Sequence, residues 1–359
     1  MFPDLGEFRL VQKILDGSVK MKEQGPAFRS WLNAGDDAAI FDGWLATKDL
    51  SVEGTHFRMD WSSPEQAVEK HIVSNVSDIS AMGGRPRLAL FGLCVNKNWS
   101  ADVRDRVARA VADGFARRGI ALIGGDTVAA DGVGMFSTTL LGVQAGPKPL
   151  FRSGAKPGDS IYVAGTLGKS AAGLWILMNH PELAAEYPDL VAYHLSPKIH
   201  EEAGAVLAEM EPCAVPAGAV LGAALADIEA SAVSGAAIAE TRRIGACMDI
   251  SDGLSSELNH LSISSQVKMV VEESAIPVDG GVKALCSRFG LNPLEFALNG
   301  GEEYELLFTS PEKNDIFQGK QSLLGNVYRV GRVQEGSGVF MHKISGSEEN
   351  ILAQAWSHL

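Results

Sequence analysis

The chain contains few cysteines, and they form no metal-binding or redox motif. Cys94, Cys213, Cys247 and Cys286 lie far apart among 359 residues, without a C-x-x-C pair. Structural zinc sites and the disulfide frameworks of small secreted proteins depend on closely spaced cysteines. The cysteine pattern therefore excludes both classes and favours a reducing, cytoplasmic location.

Positive charge is also scarce. The chain has 31 lysine and arginine residues against 44 aspartate and glutamate residues, a formal net charge of -13. Surfaces that bind nucleic acid or anionic membranes need a basic patch. We therefore expect no nucleic-acid or membrane partner, and a phosphate-bearing substrate would need bound cations to be held by this acidic chain.

Long apolar runs are missing as well. The N-terminal stretch "MFPDLGEFRL" lacks the basic region and apolar core of a signal peptide. The best membrane candidate, residues 214–239, is rich in alanine and glycine and carries Asp227 and Glu229 near its middle. Charges at a bilayer centre are costly. We therefore interpret this segment as soluble helical structure that forms a local elaboration of the fold.

Length and periodicity together predict the architecture. A chain of 359 residues is long for one core, which favours two domains. Strand-like and helical patterns alternate, which indicates an α/β or α+β fold with mixed sheets. A helix is predicted from Pro64 to Met82, a buried strand over residues 87–95, and further strands over 119–127 and 134–144.

A domain boundary is predicted where glycine and proline cluster. The stretch "GPKPLFRSGAKPGD", residues 146–159, separates periodic segments on either side. We therefore predict an N-terminal domain over residues 1–150 and a C-terminal domain over residues 151–359.

One phosphate-binding motif is only apparent. "VAGTLGKSAAG" places Gly168, Lys169 and Ser170 after a predicted strand, as in a P-loop. The P-loop pattern also needs a glycine five residues before Gly168, where this chain has Val163. We reject a P-loop and predict a glycine turn followed by a helix.

The aspartates that adjoin apolar or glycine-rich sequence carry the strongest chemical signal. Asp78 falls in the last turn of the predicted helix, where the helix dipole disfavours an anion unless a cation compensates. Several such carboxylates converging on one cleft would hold more than one Mg²⁺ around a polyphosphate. The candidate ligands are Asp37, Asp49 (predicted at a strand end), Asp78, Asp126, Asp249 and Asp252.

Any one of these aspartates taken alone has a structural alternative. Asp252 could cap the helix that follows it, and Asp49 could be a turn residue. For Asp36 we favour the structural role. For the other six together, the ligand hypothesis is the better explanation.

Short motifs along nearly the whole chain resemble the thiamine-monophosphate kinase family, in that family's order. They are "GEF", "GDDAAIF", "KDLSVEGTHF", "NVSDISAMGG", "LIGGDT", "RSGAKPGD", "MDISDGL" and "NGGEEYELLF". Several are shared with aminoimidazole ribonucleotide synthetase and other members of its superfamily. "GEF", the "HF" after "EGT" and "GGEEYEL" point more narrowly to the kinases.

The resemblance implies an activity and a fold. It implies ATP-dependent phosphorylation of thiamine monophosphate to thiamine diphosphate by direct in-line transfer, without a phosphoenzyme. It implies several Mg²⁺ ions, and a two-domain fold resembling aminoimidazole ribonucleotide synthetase whose N-terminal domains pair in a homodimer.

The resemblance also assigns residues. The six aspartates named above would bind Mg²⁺, with Thr47 as a further ligand. Nucleotide contacts would come from Gly125, Asp126, Arg152 and Ser251, and thiamine phosphate contacts from His56 and Glu302. Trp356 could stack on the thiamine rings, although docking the C-terminal tail is its alternative role.

These assignments have structural alternatives too. Arg152 could pair with surface acids, although its planar fork suits a phosphate. His56 could be a packed loop histidine, Ser251 a capping hydroxyl, and Glu302 part of a turn.

Three positions depart from the family pattern. Lys48 stands where the family has serine or threonine; its ammonium cannot coordinate Mg²⁺, and we predict that it instead reaches a phosphate oxygen. Glu303 replaces the usual aspartate. The segment from about Glu211 to Arg243 is longer than the family's connection.

Two other functions remain open at the level of sequence. One is an ATP-dependent ligase of the aminoimidazole ribonucleotide synthetase type, which would use the same Mg-ATP cleft. The other is a non-enzymatic, acidic cation-binding protein, which would bind metal without hydrolysing nucleotide.

Overall fold

The computed structural model describes residues 31–32, 35–210, 243–311, 317 and 321–353. The "GEF" motif, Trp356 and nearly all of the long segment at 211–243 lie outside the described residues. Helices and strands are numbered here in chain order within the described part.

The N-terminal half is built on a six-stranded sheet in the order β1-β2-β3-β6-β4-β5. Neighbouring strands are antiparallel except β4 and β5, which are parallel. The strands are β1 Trp31–Leu32, β2 Ala39–Phe41, β3 Trp44–Val52, β4 Gly84–Asn96, β5 Ala121–Ala130 and β6 Met135–Gln144.

Helix α1 (Pro64–Ala81) packs on this sheet and begins and ends where the sequence signals predict. Ser63 and Gln66 form a capping box at its start, and Gly83, with a φ of 70°, follows its end. Ile72 and Ile79 of this helix are fully buried, which stabilises the fold by about 1.5–3 kcal/mol for each side chain. Helix α2 (Ala101–Arg117) packs beside α1.

The opposite face of the N-terminal sheet is uncovered in a single chain. Strand β4 was predicted to be buried, but only one of its faces is: Ala89 and Phe91 are buried, whereas Leu90 is 42% exposed. Almost every residue of β5 is exposed, Leu122 and Val128 among them. The prediction of a buried strand was wrong for this face because the apolar run does not distinguish burial within the chain from burial against something else.

The C-terminal half is built on a seven-stranded sheet in the order β13-β12-β9-β11-β7-β10-β8, in which β12 and β9 are parallel. Its strands are β7 Ser160–Ala164, β8 Cys247–Asp249, β9 Lys268–Glu272, β10 Leu306–Ser310, β11 Val327–Gln334, β12 Gly338–His342 and β13 Glu348–Asn350. Its helices are α3 Lys169–Asn179, α4 Pro188–Leu195, α5 Ala203–Met210, α6 Leu254–Ser265, α7 Gly280–Phe289, α8 Pro293–Asn299 and α9 Gln321–Leu324. Short 3₁₀ helices cover Pro181–Leu183 and Glu273–Ala275.

Helix α1 is also where the two halves meet. It contacts β8 and α5 of the C-terminal half as well as its own sheet. The Ser80 hydroxyl accepts a hydrogen bond from the Gly204 amide, 3.2 Å away. The fold class is confirmed: each half combines helices with one sheet of mixed parallel and antiparallel strands. The domain limits at residue 150 stay a prediction.

Two further expectations can be compared with this fold. Asp49 was predicted at a strand end, which is wrong: β3 continues for three residues beyond it, to Val52. In the part of the chain that is described, no helix has the length and hydropathy needed to cross a bilayer. The candidate span at 214–239 lies outside the described residues.

Candidate active site

Three carboxylates from distant parts of the chain, two of them buried and one half-buried, converge at the junction of the two halves. Oxygen atoms of Asp37, Asp78 and Asp249 all lie within 4.8 Å of one another. Asp37 precedes β2, Asp78 lies in the last turn of α1, and Asp249 ends β8. The convergence predicted from the sequence is therefore present for these three aspartates.

Two hydroxyl groups orient this acidic trio. Thr47 Oγ1 donates to Asp78 Oδ2 at 2.5 Å, and Ser77 Oγ donates to Asp249 Oδ2 at 2.6 Å. Thr47, a predicted ligand, thus joins the trio directly. Sequence reasoning missed Ser77, although it directly precedes Asp78 in the helix.

The acidic trio is poorly compensated within the protein. Burial, then repulsion from Asp49, Asp249 and Asp37, holds the pKa of Asp78 well above its usual value. Burial, and then Asp37, raises the pKa of Asp249 to about 7. Asp37 Oδ2 is buried without a hydrogen-bond partner. Such an arrangement is expected where a cation belongs.

Arg152 supplies the nearest positive charge. Its Nη2 and Nε atoms donate to Asp37 Oδ1 at 2.5 and 3.1 Å, and its backbone N–H donates to Asp36 Oδ1 at 2.6 Å. Burial alone would lower the pKa of Arg152, but Asp37 and Asp249 raise it above its ordinary value. Asp36 holds the backbone here, in keeping with a structural role, while Arg152 lies within the acidic cluster.

Two further predicted metal ligands, Asp49 and Asp252, lie outside the trio. Asp49 interacts electrostatically with Asp78 and Asp249, and its amide donates to Asn75 Oδ1 at 3.3 Å. Asp252 is half-buried, and its amide donates to Glu257 Oε1 at 2.8 Å. Glu257, a buried glutamate that the sequence analysis did not identify, thereby fixes the loop that carries Asp252.

The structure does not bring Asp126 to the trio. Asp126 is exposed on β5, and it pairs across the sheet with Gly92, which pairs in turn with Ser137. Directly paired residues project from the same face of a sheet. Asp126 therefore lies on the uncovered face, whereas Thr47 and Asp49 face α1.

The segments around Ser251 and Glu302 are joined by backbone hydrogen bonds. The Glu302 amide donates to the Ser251 carbonyl at 2.6 Å, and the Tyr304 amide donates to the Ile250 carbonyl at 2.8 Å. Glu302 and Tyr304 have φ angles of 61° and 54°, in the left-handed region. A Cβ at Gly301 would lie 2.5 Å from the Ser251 carbonyl, so only glycine permits this approach. Strained backbone of this kind clusters at functional sites.

Two other predicted contacts, His56 and Gly125, belong to the N-terminal half. His56 Nδ1 accepts a hydrogen bond from the Val52 amide at 3.1 Å, in the turn after β3. Gly125 lies on β5 so close to Phe91 that a Cβ would meet the Phe91 carbonyl, which gives its glycine a structural reason as well. Trp356 lies outside the described residues.

Lys48 does not face the acidic trio. Its Nζ atom donates to Ser137 Oγ at 2.8 Å and lies 3.5 Å from Thr139 Oγ1. Both partners line the uncovered face of the sheet, because neighbouring strand residues point to opposite sides. The expectation that Lys48 replaces part of a metal ion's charge is therefore corrected: its side chain leaves the sheet on the side opposite to Asp49.

The apparent phosphate loop at α3 already holds a carboxyl group of the protein itself. Glu303 Oε1 accepts a hydrogen bond from the Ser170 amide at 2.9 Å, at the helix N-terminus. Glu303, one of the three departures from the family pattern, thus occupies the position that a phosphate would take in a P-loop.

Most of the chain matches known protein families. The family model for AIR synthase related protein, N-terminal domain, matches residues 35–144, and the C-terminal domain model matches residues 156–343. The chain is similar to the thiamine-monophosphate kinase of Pyrococcus horikoshii, with 32% identity over 90% of both chains.

Two comparisons cover almost the whole chain. The thiamine-monophosphate kinase of Aquifex aeolicus is 30% identical over 99% of this chain and 98% of its own. The solved structure of AaThiL complexed with AMPPCP and TMP superimposes with a TM-score of 0.75 at 28% identity, covering 99% of this chain and 97% of the other.

Proposed function

The chain belongs to the AIR synthase related family and, within it, to the thiamine-monophosphate kinases; from this premise we propose how its residues serve the reaction. It is an ATP-dependent kinase that phosphorylates thiamine monophosphate to thiamine diphosphate. We propose that the phosphoryl group passes directly from ATP to the acceptor phosphate in line, at the junction marked by the acidic trio. The convergence of Asp37, Asp78 and Asp249 is the observation that supports this location.

The donor set fits Mg²⁺. All its members offer oxygen atoms, Asp37 Oδ2 is buried without a partner, and Thr47 adds a hydroxyl. Hard divalent ions prefer such ligands. We propose that Asp37, Asp78 and Asp249 hold the ions, together with the predicted ligands Thr47, Asp49 and Asp252. Asp126 stays a predicted ligand, because within one chain it projects from the opposite face of the N-terminal sheet. Mg²⁺ bound there supplies neutralisation of the phosphate charges.

The chain's own residues position the two substrates. Arg152, which grips Asp37 in this structure, has the planar fork that binds phosphate oxygens in pairs. Ser251, Gly125 and Asp126 are proposed to contact the nucleotide. His56 and Glu302 are proposed to contact thiamine monophosphate, as is Trp356.

The quaternary structure and location are further proposals. The uncovered face of the N-terminal sheet carries exposed apolar side chains, and we propose that two chains pair through it as a homodimer. We propose a cytoplasmic location, which rests on the scarcity and spacing of the cysteines. No nucleic-acid or membrane partner is proposed for this acidic chain.

An assay of product formation tests the proposed function. The purified protein with Mg-ATP is given thiamine monophosphate, free thiamine or formylglycinamidine ribonucleotide in parallel. We expect thiamine diphosphate from the first alone. Turnover of the ribonucleotide would favour the ligase, and metal binding without any turnover would favour a non-enzymatic protein. Inversion of configuration at a chiral γ-phosphorus would support a single in-line transfer, whereas retention would contradict it.

A further inference from the structure

An ion pair between a buried lysine and a half-buried glutamate joins the two halves of the molecule beside the proposed acceptor site. Lys70 Nζ lies 2.7 Å from Glu302 Oε2, and the two residues are 232 positions apart. The Lys70 side chain is 8% exposed, although it belongs to the middle of α1. A lysine buried to this extent is uncommon and is normally held by a specific partner.

The two oxygens of Glu302 have different environments. Oε2 accepts a hydrogen bond from Lys70 Nζ and lies 3.5 Å from His194 Nδ1. Within the described part of the chain, no hydrogen bond reaches Oε1, and the side chain is 29% exposed. One oxygen is therefore fixed by the protein while the other is left accessible. This is the arrangement expected of a carboxylate that presents itself to a ligand.

Lys70 supplies the charge in this arrangement. Burial and the neighbouring ammonium lower the pKa of His194 to about 4, so its imidazole is neutral near pH 7 and its contact with Glu302 is not an ion pair. His194 is instead held by Ser170 Oγ at 3.1 Å. Burial has the largest single effect on the pKa of Glu302 and would raise it, but Lys70, with smaller contributions from His194 and His56, brings the pKa below its usual value.

We propose that Lys70 is a positioning residue for the acceptor: it fixes Glu302 across the junction as an oriented, ionised carboxylate that binds the cationic thiamine portion of thiamine monophosphate. This deepens the proposed function and rests on it. Thiamine carries a permanently charged thiazolium ring and an amine-bearing pyrimidine, and both complement an anion. Because α1 also carries Asp78, the same helix sets the acceptor carboxylate and one member of the acidic trio.

The first test compares substitutions of Lys70. We expect Lys70→Met to raise the KM for thiamine monophosphate about tenfold or more, with the KM for ATP changed by less than about twofold. Lys70→Arg should recover part of the loss, since a guanidinium also provides a cation. The matched control is Arg118→Met. This change breaks the ion pair between Arg118, whose side chain is also largely buried, and Glu69, which lies on the same helix as Lys70. An equal rise of the KM in this control would contradict the proposal.

The second test uses pH. The titratable and charged groups around Glu302 are Lys70, His194, His56 and Tyr304. Without Lys70, burial raises the pKa of Glu302, so protonation at lower pH removes the anion that binds the acceptor. The substrate phosphate also titrates at about pH 6, but it does so for both enzymes. The ratio of the KM of Lys70→Met to that of the wild type should therefore rise as the pH falls from about 8 to about 6. A ratio that does not change with pH contradicts the proposal.

The third test asks whether Lys70 acts through Glu302. In a double-mutant cycle, Lys70→Met should add little to the loss already caused by Glu302→Gln. Full additivity would mean that Lys70 touches the acceptor itself, and would overturn the positioning role. Calorimetric titration with thiamine monophosphate makes the same comparison without turnover. Absence of kinase activity in the wild type then contradicts the proposed function, whereas a Kd unaffected by Lys70→Met contradicts the role of Lys70.

Discussion

The carboxylates of the acidic trio are placed where they destabilise the metal-free protein. Asp37, Asp78 and Asp249 repel one another in a buried setting, and nothing in their local sequence requires them to be acidic. Carboxylates placed in this way weaken the metal-free fold and become favourable only when cations join them. The pattern of two aspartates around Ser251 has the same explanation, since Asp249 belongs to the trio and Asp252 follows three residues later.

Replacement of Asp249 should separate activity from stability. We expect Asp249→Asn to lower the transfer rate about 100-fold or more, because one charged ligand is lost. At pH 8 without Mg²⁺, the free energy of unfolding of the variant should exceed that of the wild type by on the order of 1 kcal/mol, since the repulsion is relieved. Coupled assays and urea unfolding measure the two effects. Near wild-type activity with Mg-ATP would show that Asp249 is not a ligand.

Lys48 gives a prediction of little change. Its ammonium binds Ser137 and Thr139 on the sheet face away from Asp49. We therefore expect Lys48→Thr to leave the Mg²⁺ concentration for half-maximal rate within about twofold of the wild type. A titration of rate against Mg²⁺ at fixed ATP measures this midpoint. A clear rise in the midpoint would restore the idea that Lys48 replaces part of a metal ion's charge.

The limits of prediction at this scale follow from what a sequence shows. Asp78 could be identified because an acidic residue in the last turn of a helix contradicts the helix dipole. Lys70 could not, because a lysine within a helix normally lies in solvent, and its partner Glu302 is 232 positions away. Likewise, the face from which Lys48 projects depends on β3 continuing past Asp49, which local sequence did not indicate.

At the scale of elements, periodicity and end signals were sufficient for most of what was predicted. Helix α1 could be placed from its apolar spacing, from Pro64 and from the glycine pair that ends it. The exposure of β4 and β5 could not be inferred, because apolar runs on a strand look the same whether they are covered by the chain or by a partner. The N-terminus of α3 shows a similar limit: its glycine turn was predicted, but not the carboxylate that occupies it.

The capping of α3 by Glu303 predicts a dependence of stability on pH. Burial raises the pKa of Glu303 to about 8, above its unfolded value of 4.5, and that of Glu305 to about 7. The folded state therefore holds protons that the unfolded state releases. This contribution to stability is full below about pH 4.5 and is lost as the pH rises to about 8.

Glu303→Gln tests this dependence, since an amide resembles the protonated acid and can still accept the Ser170 hydrogen bond. We expect the variant to exceed the wild type in free energy of unfolding by on the order of 2 kcal/mol at pH 8, with little difference near pH 5. Urea unfolding across this range measures both. A variant less stable than the wild type at pH 8 would indicate that the ionised carboxylate at the helix N-terminus is the favourable form.

At the scale of the whole molecule, one surface is unlike the rest. Leu50, Leu90 and Val128 are each more than 40% exposed on the uncovered face of the N-terminal sheet, and β5 is an edge strand within the described residues. Exposed apolar faces and unpaired edges promote association. Two copies of a sheet face can cover each other by two-fold symmetry, which makes a homodimer the simplest occupant.

A charge placed on this face should therefore dissociate the pair. We expect the wild type to sediment as a dimer at micromolar concentration and Leu90→Glu to sediment as a monomer, because a carboxylate buried in an apolar interface has no partner. Since Leu90 is 42% exposed in the single chain, the variant should still fold. Met178→Glu makes the same kind of change on α3, where Met178 is 65% exposed, and should leave the dimer intact. A monomeric wild type with full activity, or a Leu90→Glu variant that remains dimeric, would show that the sheet face is not the interface.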